Sequence, residues 1–199
     1  FQNTDLIVLS PGVPHTIEPV QRAKEKGIPV WGEIELAFRF IQEPIVAVSG
    51  TNGKTTTTAL LGEMLAGSGF KVFVGGNIGD PLIGYVDCKE KAELLVVEVS
   101  SFQLDTIETF RAKVGVLLNI DKDHMDRYQN FNAYARSKAR MFENQLAGDI
   151  AVLNGADQQV RLIGEKLNIT KLFFNARSRH EKGATINGKH LFIHSFETS

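Results

Sequence analysis

Between Ile45 and Thr58 the chain reads IVAVSGTNGKTTTT, and these residue types at this spacing suit a grip for phosphate. The apolar run Ile45 to Val48 predicts a strand, Gly50-Thr51-Asn52-Gly53 a loop bracketed by glycines, and Lys54-Thr55 the opening of a helix. Glycines let successive N–H groups curl round phosphate oxygens, and a helix N-terminus adds partial positive charge. In such a loop Lys54 reaches the β and γ phosphates of a nucleotide and the Thr55 hydroxyl binds Mg²⁺. The general pattern G-x-x-x-x-G-K-[ST] is shortened here, because Val48 and not glycine stands five positions before Gly53. The competing reading is a glycine-rich turn that caps a helix.

Four further residues could carry chemistry. Glu98 is the one acid in the apolar run Leu94 to Val99, near its C-terminal end. A carboxylate there, beside a phosphate loop, is placed to hold Mg²⁺ or its water shell. The alternative is an acid exposed at a strand end, which the apolar flanks disfavour, since a buried acid needs a partner. His124, in Asp121 to Arg127, is either a solvated loop histidine or, on the ligand edge of a sheet, a metal or substrate ligand. Asn77, in Gly75-Gly76-Asn77-Ile78-Gly79, is either a turn residue or a hydrogen-bonding group for a polar substrate. Lys138 falls inside the apolar stripe of Phe131, Tyr134, Ala135, Phe142 and Leu146. It either snorkels its ammonium out of that stripe or has a task within it.

These residues need a scaffold, and the rest of the chain predicts a mostly parallel α/β sheet. Asp5 to Ser10 reads as a buried strand, Ile17 to Lys26 as a helix closed by Gly27, and Ile28 to Trp31 as a second strand. A helix from Glu33 to Gln42 carries Ile34, Phe38 and Ile41 on one side. Glu43-Pro44 then breaks the pattern, because the residue before proline is pushed out of helix. The domain boundary is expected there, with 1–43 as the end of a Rossmann-like domain and 44–199 as a phosphate-loop domain. After the loop, Leu60, Leu61, Met64 and Leu65 are expected on one helical face, with Gly67 and Gly69 ending the helix. Strands follow at Lys71 to Val74, Leu94 to Val99 and Val114 to Ile120, then strand, helix and strand at Ile150 to Leu153, Asp157 to Leu167 and Lys171 to Phe174. Ala184 to His194 has the pattern of a hairpin turning at Asn187-Gly188. In open parallel sheets ligands gather at the carboxyl ends of strands, so the four special loops are expected on one edge.

Composition bounds the function. With 22 basic and 23 acidic residues the net charge is −1, so no overall field draws in nucleic acid or an anionic membrane. The 43% hydrophobic content suffices for a core. The single cysteine, Cys88, excludes an intramolecular disulfide and fits a reducing, cytoplasmic setting. No run approaches the roughly 18 apolar residues of a membrane span.

Taken together and in order, Ser49-Gly50-Thr51-Asn52-Gly53-Lys54-Thr55, Gly75 to Gly79, Glu98-Val99-Ser100-Ser101-Phe102-Gln103-Leu104 and Asp123-His124-Met125-Asp126-Arg127-Tyr128 resemble the Mur ligase family. The GGNIG loop paired with EVSSFQL is most similar to the branch that joins D-glutamate to UDP-N-acetylmuramoyl-L-alanine in peptidoglycan precursor synthesis. The resemblance implies an ATP-dependent amide ligase, acting as a monomer through an acyl phosphate. It also implies a lysine carbamylated by CO₂, at Lys138. By carry-over, Gly50, Thr51, Asn52, Gly53, Lys54, Thr55 and Thr56 bind ATP phosphates, and Lys54, Glu98, His124 and Lys138 are the catalytic set. Thr55 and Glu98 are implied to hold one Mg²⁺, and Glu98, His124 and the Lys138 carbamate a second. Ser10, Asn77, Ser100, Gln103 and His124 match positions near the UDP-muramoyl substrate. In that family further segments precede Phe1 and follow Ser199, so the isolated chain is expected to be a poor catalyst or none. The alternatives are another Mur-type ligase, a folylpolyglutamate synthase, or a nucleotide-binding module without acceptor chemistry.

Overall fold

The computed structural model describes residues 4–10, 12–175, 182–187 and 190–194. Strand β1 (Ile7–Leu9) leads into helix α1 (Glu18–Glu25), which has Pro19 in its first turn and ends at Gly27, whose φ of 74° reverses the chain. Strand β2 (Val30–Gly32) pairs in parallel with β1 as a sheet of its own. Ile7, Leu9, Val20, Ala23 and Val30 form its small core. The segment expected as a buried strand is therefore only half buried: Val8 is exposed, because one helix covers one face. Helix α2 (Glu33–Phe38) stops four residues short of Gln42, and its Ile34 and Ala37, with Ile41 beyond its end, pack into the larger core.

That larger core surrounds an eight-stranded sheet. Its elements in chain order are β3 (Ile45–Ser49), α3 (Lys54–Gly67), β4 (Val72–Gly76), α4 (Leu82–Val86), β5 (Leu94–Glu98), α5 (Ser101–Leu104), β6 (Val114–Leu117) and α6 (Phe131–Ala139). A 3-10 turn (Arg140–Phe142), β7 (Ile150–Asn154), α7 (Gln158–Lys166), β8 (Thr170–Phe174), β9 (Gly183–Asn187) and β10 (His190–His194) follow. The spatial order is β10-β9-β8-β7-β6-β3-β5-β4, and every pair is parallel except β9 with β10. The β9–β10 pairing is the expected hairpin, while Gly188 of its turn lies outside the described residues. From β3 the chain builds out to β4, returns through β5, then crosses to β6 and builds the other way. This switch puts the ends of β5 and β6 on either side of the loop after β3, where open sheets bind ligands.

Two expected apolar stripes are corrected. Leu60 and Met64, at 58% and 61% exposure, face away from the sheet. The stripe of α3 that meets it is Thr58, Leu61, Gly62 and Leu65, a helical i, i+3, i+4, i+7 set. A Cβ at Gly62 would collide with the Val74 side chain, so the small residue sets how closely helix and sheet approach. In the other stripe Leu146 is exposed, because α6 ends at Ala139 and the 3-10 turn changes the phase. No helix among the described residues is long and apolar enough to cross a membrane.

Candidate nucleotide and metal site

The loop after β3 meets α3 at Gly53, whose φ of 80° is one that side-chain-bearing residues rarely adopt. Helices α5, α6 and α7 begin with side-chain caps from Ser100, Asn130 and Asp157, whereas α3 has none. Gly53, Thr55 and Thr56 at its start are exposed, so its first N–H groups, which have no partner within the helix or from a side-chain cap, are available to an anion.

Glu98 is 1% exposed, which removes the solvent-exposed alternative. Its Oε2 accepts from the Thr55 hydroxyl at 2.8 Å and its Oε1 from the Asn77 amide at 2.9 Å. The register of β5 with β3 and β4 places these three residues together, since Val48 pairs with Glu98 and Glu98 with Gly76. Asn77 is further fixed by its own N–H, which donates to the Glu98 carbonyl at 2.9 Å. The Thr55 hydroxyl and Glu98 carboxylate are hard oxygen donors at one point, a set that fits Mg²⁺.

Two lysines bond adjacent carbonyls of the loop. Lys54 Nζ donates to the Thr51 carbonyl at 2.9 Å, and Lys138 Nζ donates to the Gly50 carbonyl at 2.8 Å. Lys138 is 2% exposed, so its ammonium does not snorkel to water. Burial, helped by the charge of Lys54, pulls its pKa down to about 7, against the opposing pull of Asp123 and Glu98. Tyr134 lies beneath this amine, with Nζ 4.8 Å from the ring centroid, and its hydroxyl is 3.1 Å from Thr51 Oγ1.

His124 sits at φ 52° in the loop after β6, half exposed. Its ring packs on Phe102, 4.8 Å between centroids, and its Nε2 lies 3.5 Å from Asp123 Oδ2. Among the described residues no three His, Cys, Asp or Glu side chains converge on a metal position. Glu98 and Lys138 do share the neighbourhood of the phosphate loop, through Thr55 and the Gly50 carbonyl.

Ser10 and Gln103 line a crevice between the small sheet and the main body, together with Glu33, Phe102 and Arg127. Arg127 spans it, stacking over Phe102 at 4.6 Å and donating to the Gly12 carbonyl at 3.1 Å. Ser100 caps α5: its Oγ accepts from the Gln103 N–H, and Gln103 Oε1 accepts from the Ser100 N–H at 3.0 Å. These two residues thus order the turn behind Glu98.

Sequence reading passed over Asn119, which bonds the phosphate loop, and Asn154 and Asp157, which bond residues beside it. Asn119 carried the same signal as Glu98, a polar residue at the carboxyl end of an apolar strand. Asn154, at the end of the apolar strand β7, carried it too, whereas Asp157 gave none, since its partner there is a backbone group 37 residues away.

A parallel sheet with a glycine loop, an uncapped helix start and a buried acid on the neighbouring strand defines a phosphate-loop α/β protein. More closely, residues 48–199 match the Mur ligase middle domain, and the chain belongs to that family. It is 60% identical over 186 residues to a UDP-N-acetylmuramoylalanine–D-glutamate ligase of Desulfosudis oleivorans, covering 94% of this chain and 40% of that protein. A ligase of the same name from Pelotomaculum thermopropionicum is 51% identical, over 94% of this chain and 41% of its own length. The chain thus spans about two fifths of the length of these curated relatives. In fold it is similar to the UDP-N-acetylmuramate:L-alanyl-gamma-D-glutamyl-meso-diaminopimelate ligase of Neisseria meningitides, with a TM-score of 0.64, 18% identity, and 96% and 65% of the two chains covered.

Proposed function

We propose that this chain is the ATP-handling part of a ligase that adds D-glutamate to UDP-N-acetylmuramoyl-L-alanine in peptidoglycan precursor synthesis. The observation that carries the reading is the buried Glu98 carboxylate, held between Thr55 and Asn77 at the mouth of an uncapped helix. The identity to D-glutamate ligases supports the substrate.

In this reading the N–H groups at the start of α3 and Lys54 bind the triphosphate, and the muramoyl substrate approaches from the crevice lined by Ser10 and Gln103. The substrate's terminal carboxylate attacks the γ phosphorus, breaking the bond to the bridging oxygen and releasing ADP. The D-glutamate amine then attacks the acyl phosphate carbon, forms the C–N bond, loses a proton and expels phosphate. Thr55 and Glu98 would hold one Mg²⁺, and Glu98, His124 and a carbamylated Lys138 a second; bound there, the ions would supply charge neutralisation for the triphosphate and the incoming carboxylate, which otherwise repel. The lowered pKa of Lys138 supports the carbamate, because the neutral amine is the form that attacks CO₂, yielding R–NH–COO⁻ and a proton.

The test is phosphate release from Mg-ATP and UDP-N-acetylmuramoyl-L-alanine, with and without D-glutamate, by the whole protein that carries this chain. Release that depends on D-glutamate is expected. Release that depends instead on another amino acid or on a folate would move the chain to another branch. Nucleotide binding with no acceptor-dependent turnover would leave only a binding module.

A further inference from the structure

Asn119 lies two residues beyond the end of β6, and its side chain lies along the first half of the phosphate loop. Oδ1 accepts from the Thr51 N–H at 3.1 Å and from the Asn52 N–H at 2.8 Å, while Nδ2 donates to the Asn52 carbonyl at 3.0 Å. The Asn119 backbone carbonyl also accepts from the Thr51 N–H, at 3.0 Å. A side-chain amide oxygen has two lone pairs, and both are engaged by the loop. The strand end that carries this side chain is braced on each side of it. Asn154 Nδ2 donates to the Leu118 carbonyl at 2.8 Å, and Asp157 Oδ2 accepts from the Ile120 N–H at 2.9 Å. A Cβ at Gly50 would lie 3.0 Å from Leu118 Cβ and 3.4 Å from the Asn119 nitrogen, so the loop enters packed against the same segment.

The consequence concerns which donors remain for a ligand. The carbonyls of Gly50, Thr51 and Asn52 are taken by Lys138, Lys54 and Asn119 in turn. The N–H groups of Thr51 and Asn52 are taken by Asn119. We propose that Asn119 is a positioning residue that fixes the phosphate loop and withholds the Thr51 and Asn52 N–H groups, so that phosphates are gripped only from Gly53 onward. This rests on the nucleotide-binding reading above, and it removes two main-chain donors that the loop motif alone assigns to phosphate. A loop held in this way needs no ordering when the ligand arrives, which lowers the cost of binding.

The experiment follows backbone amides of the ¹⁵N-labelled chain by NMR, first without ligand and then with Mg-ADP. In the ligand-free protein the Asn52 amide should exchange slowly, about tenfold faster in Asn119→Ala, as loss of one such bond implies. Asn119→Asp keeps the acceptor oxygens and should restore slow exchange at Asn52. Amides of β3 and β5 report in both variants that the fold is intact. Unchanged Asn52 exchange in Asn119→Ala would overturn the proposal. On adding Mg-ADP the Gly53, Lys54 and Thr55 amides should move while Asn52 stays in place; an Asn52 shift as large as that of Gly53 would overturn the withholding. Lys54→Ala separates the two readings: it should abolish the Mg-ADP shifts and leave Asn52 exchange slow. If the unmodified chain shows no Mg-ADP shift, the nucleotide reading falls, and exchange at Asn52 alone decides whether Asn119 holds the loop.

Discussion

Glu35 offers the sharpest test of what holds α2 to the main body. Its carboxylate is fully buried and accepts five hydrogen bonds, from the Glu108, Thr109 and Phe110 N–H groups at 2.9 Å each, from Thr109 Oγ1 at 2.6 Å and from Arg39 Nε at 2.9 Å. Removing the acceptor in Glu35→Ala strands these donors unequally. Glu108 and Thr109 are exposed and can turn to water, but Phe110 is sealed, and a buried N–H without a partner costs about 1–3 kcal/mol. Arg39 keeps Glu108 at 2.9 Å and the Trp31 ring at 3.7 Å, so its loss is small. With the remaining bonds at about 0.5–1.5 kcal/mol each, the expected destabilisation is about 3–5 kcal/mol, and roughly half that for Glu35→Gln, which keeps one oxygen and the volume. Urea unfolding followed by Trp31 fluorescence reads this directly, because Trp31 Nε1 donates to Glu108 at 2.8 Å. Burial raises the Glu35 pKa, but the hydrogen bonds from Thr109, Glu108 and Phe110 together outweigh it and the net shift is down. A depressed folded pKa contributes stability above the unfolded value of about 4.3 that is lost as pH falls through the folded one. The deficit of the variants should therefore shrink in acid. A loss below about 1 kcal/mol at neutral pH, with an unchanged m-value, would refute the hub.

Four further outcomes are expected. If the proposed ligase function holds, Lys54→Ala in the whole protein should cut turnover at least about 100-fold, and near-normal activity would remove the phosphate-loop assignment. Lys138→Ala should also inactivate, with partial rescue by acetate; a ¹³C signal from labelled bicarbonate, present in the parent and absent in the variant, would identify the carbamate directly, and a fully active variant would exclude it. Asp149, buried and paired by Arg111 at 2.6 Å and Lys113 at 3.0 Å, has a pKa held far below the carboxylate range, chiefly by the Arg111 hydrogen bond. Asp149→Asn should cost about 2–3 kcal/mol near pH 7, discounted because both cations are part exposed, and that cost should fade as pH drops below about 4, which thermal melts against pH would show. Gly76 has φ 108° and a Cβ there would strike the Glu98 carbonyl, so Gly76→Ala should destabilise by more than about 2 kcal/mol and weaken Mg-ADP binding by displacing Asn77 and Glu98; calorimetry with unchanged affinity would contradict this.

Local chemistry made much of this protein legible. The phosphate loop is a contiguous set in which the glycines act through the backbone and the Lys-Thr pair through adjacent side chains, so residue types and spacing carry the information. Strands β3, β4, β5 and β6 are short runs with clear ends, and the carboxyl ends of β4, β5 and β6 pointed to Asn77, Glu98 and His124. Lys138 was visible as a cation at the wrong phase of a helix. What tertiary structure decided was which alternative each residue takes. Burial against the Gly50 carbonyl chose between a snorkelling Lys138 and an enclosed one. Strand register brought Glu98 to Thr55 and Asn77. The stripes failed where packing is set by small residues, as at Thr58 and Gly62 of α3, or where the helix type changes, as before Leu146. Glu35 escaped because three of its partners are main-chain N–H groups remote in sequence, which carry no side-chain signature, and Asn119 carried a strand-end signal that did not say which loop it would bond. Such pairings exist only once strand order and register have folded the distant segments together.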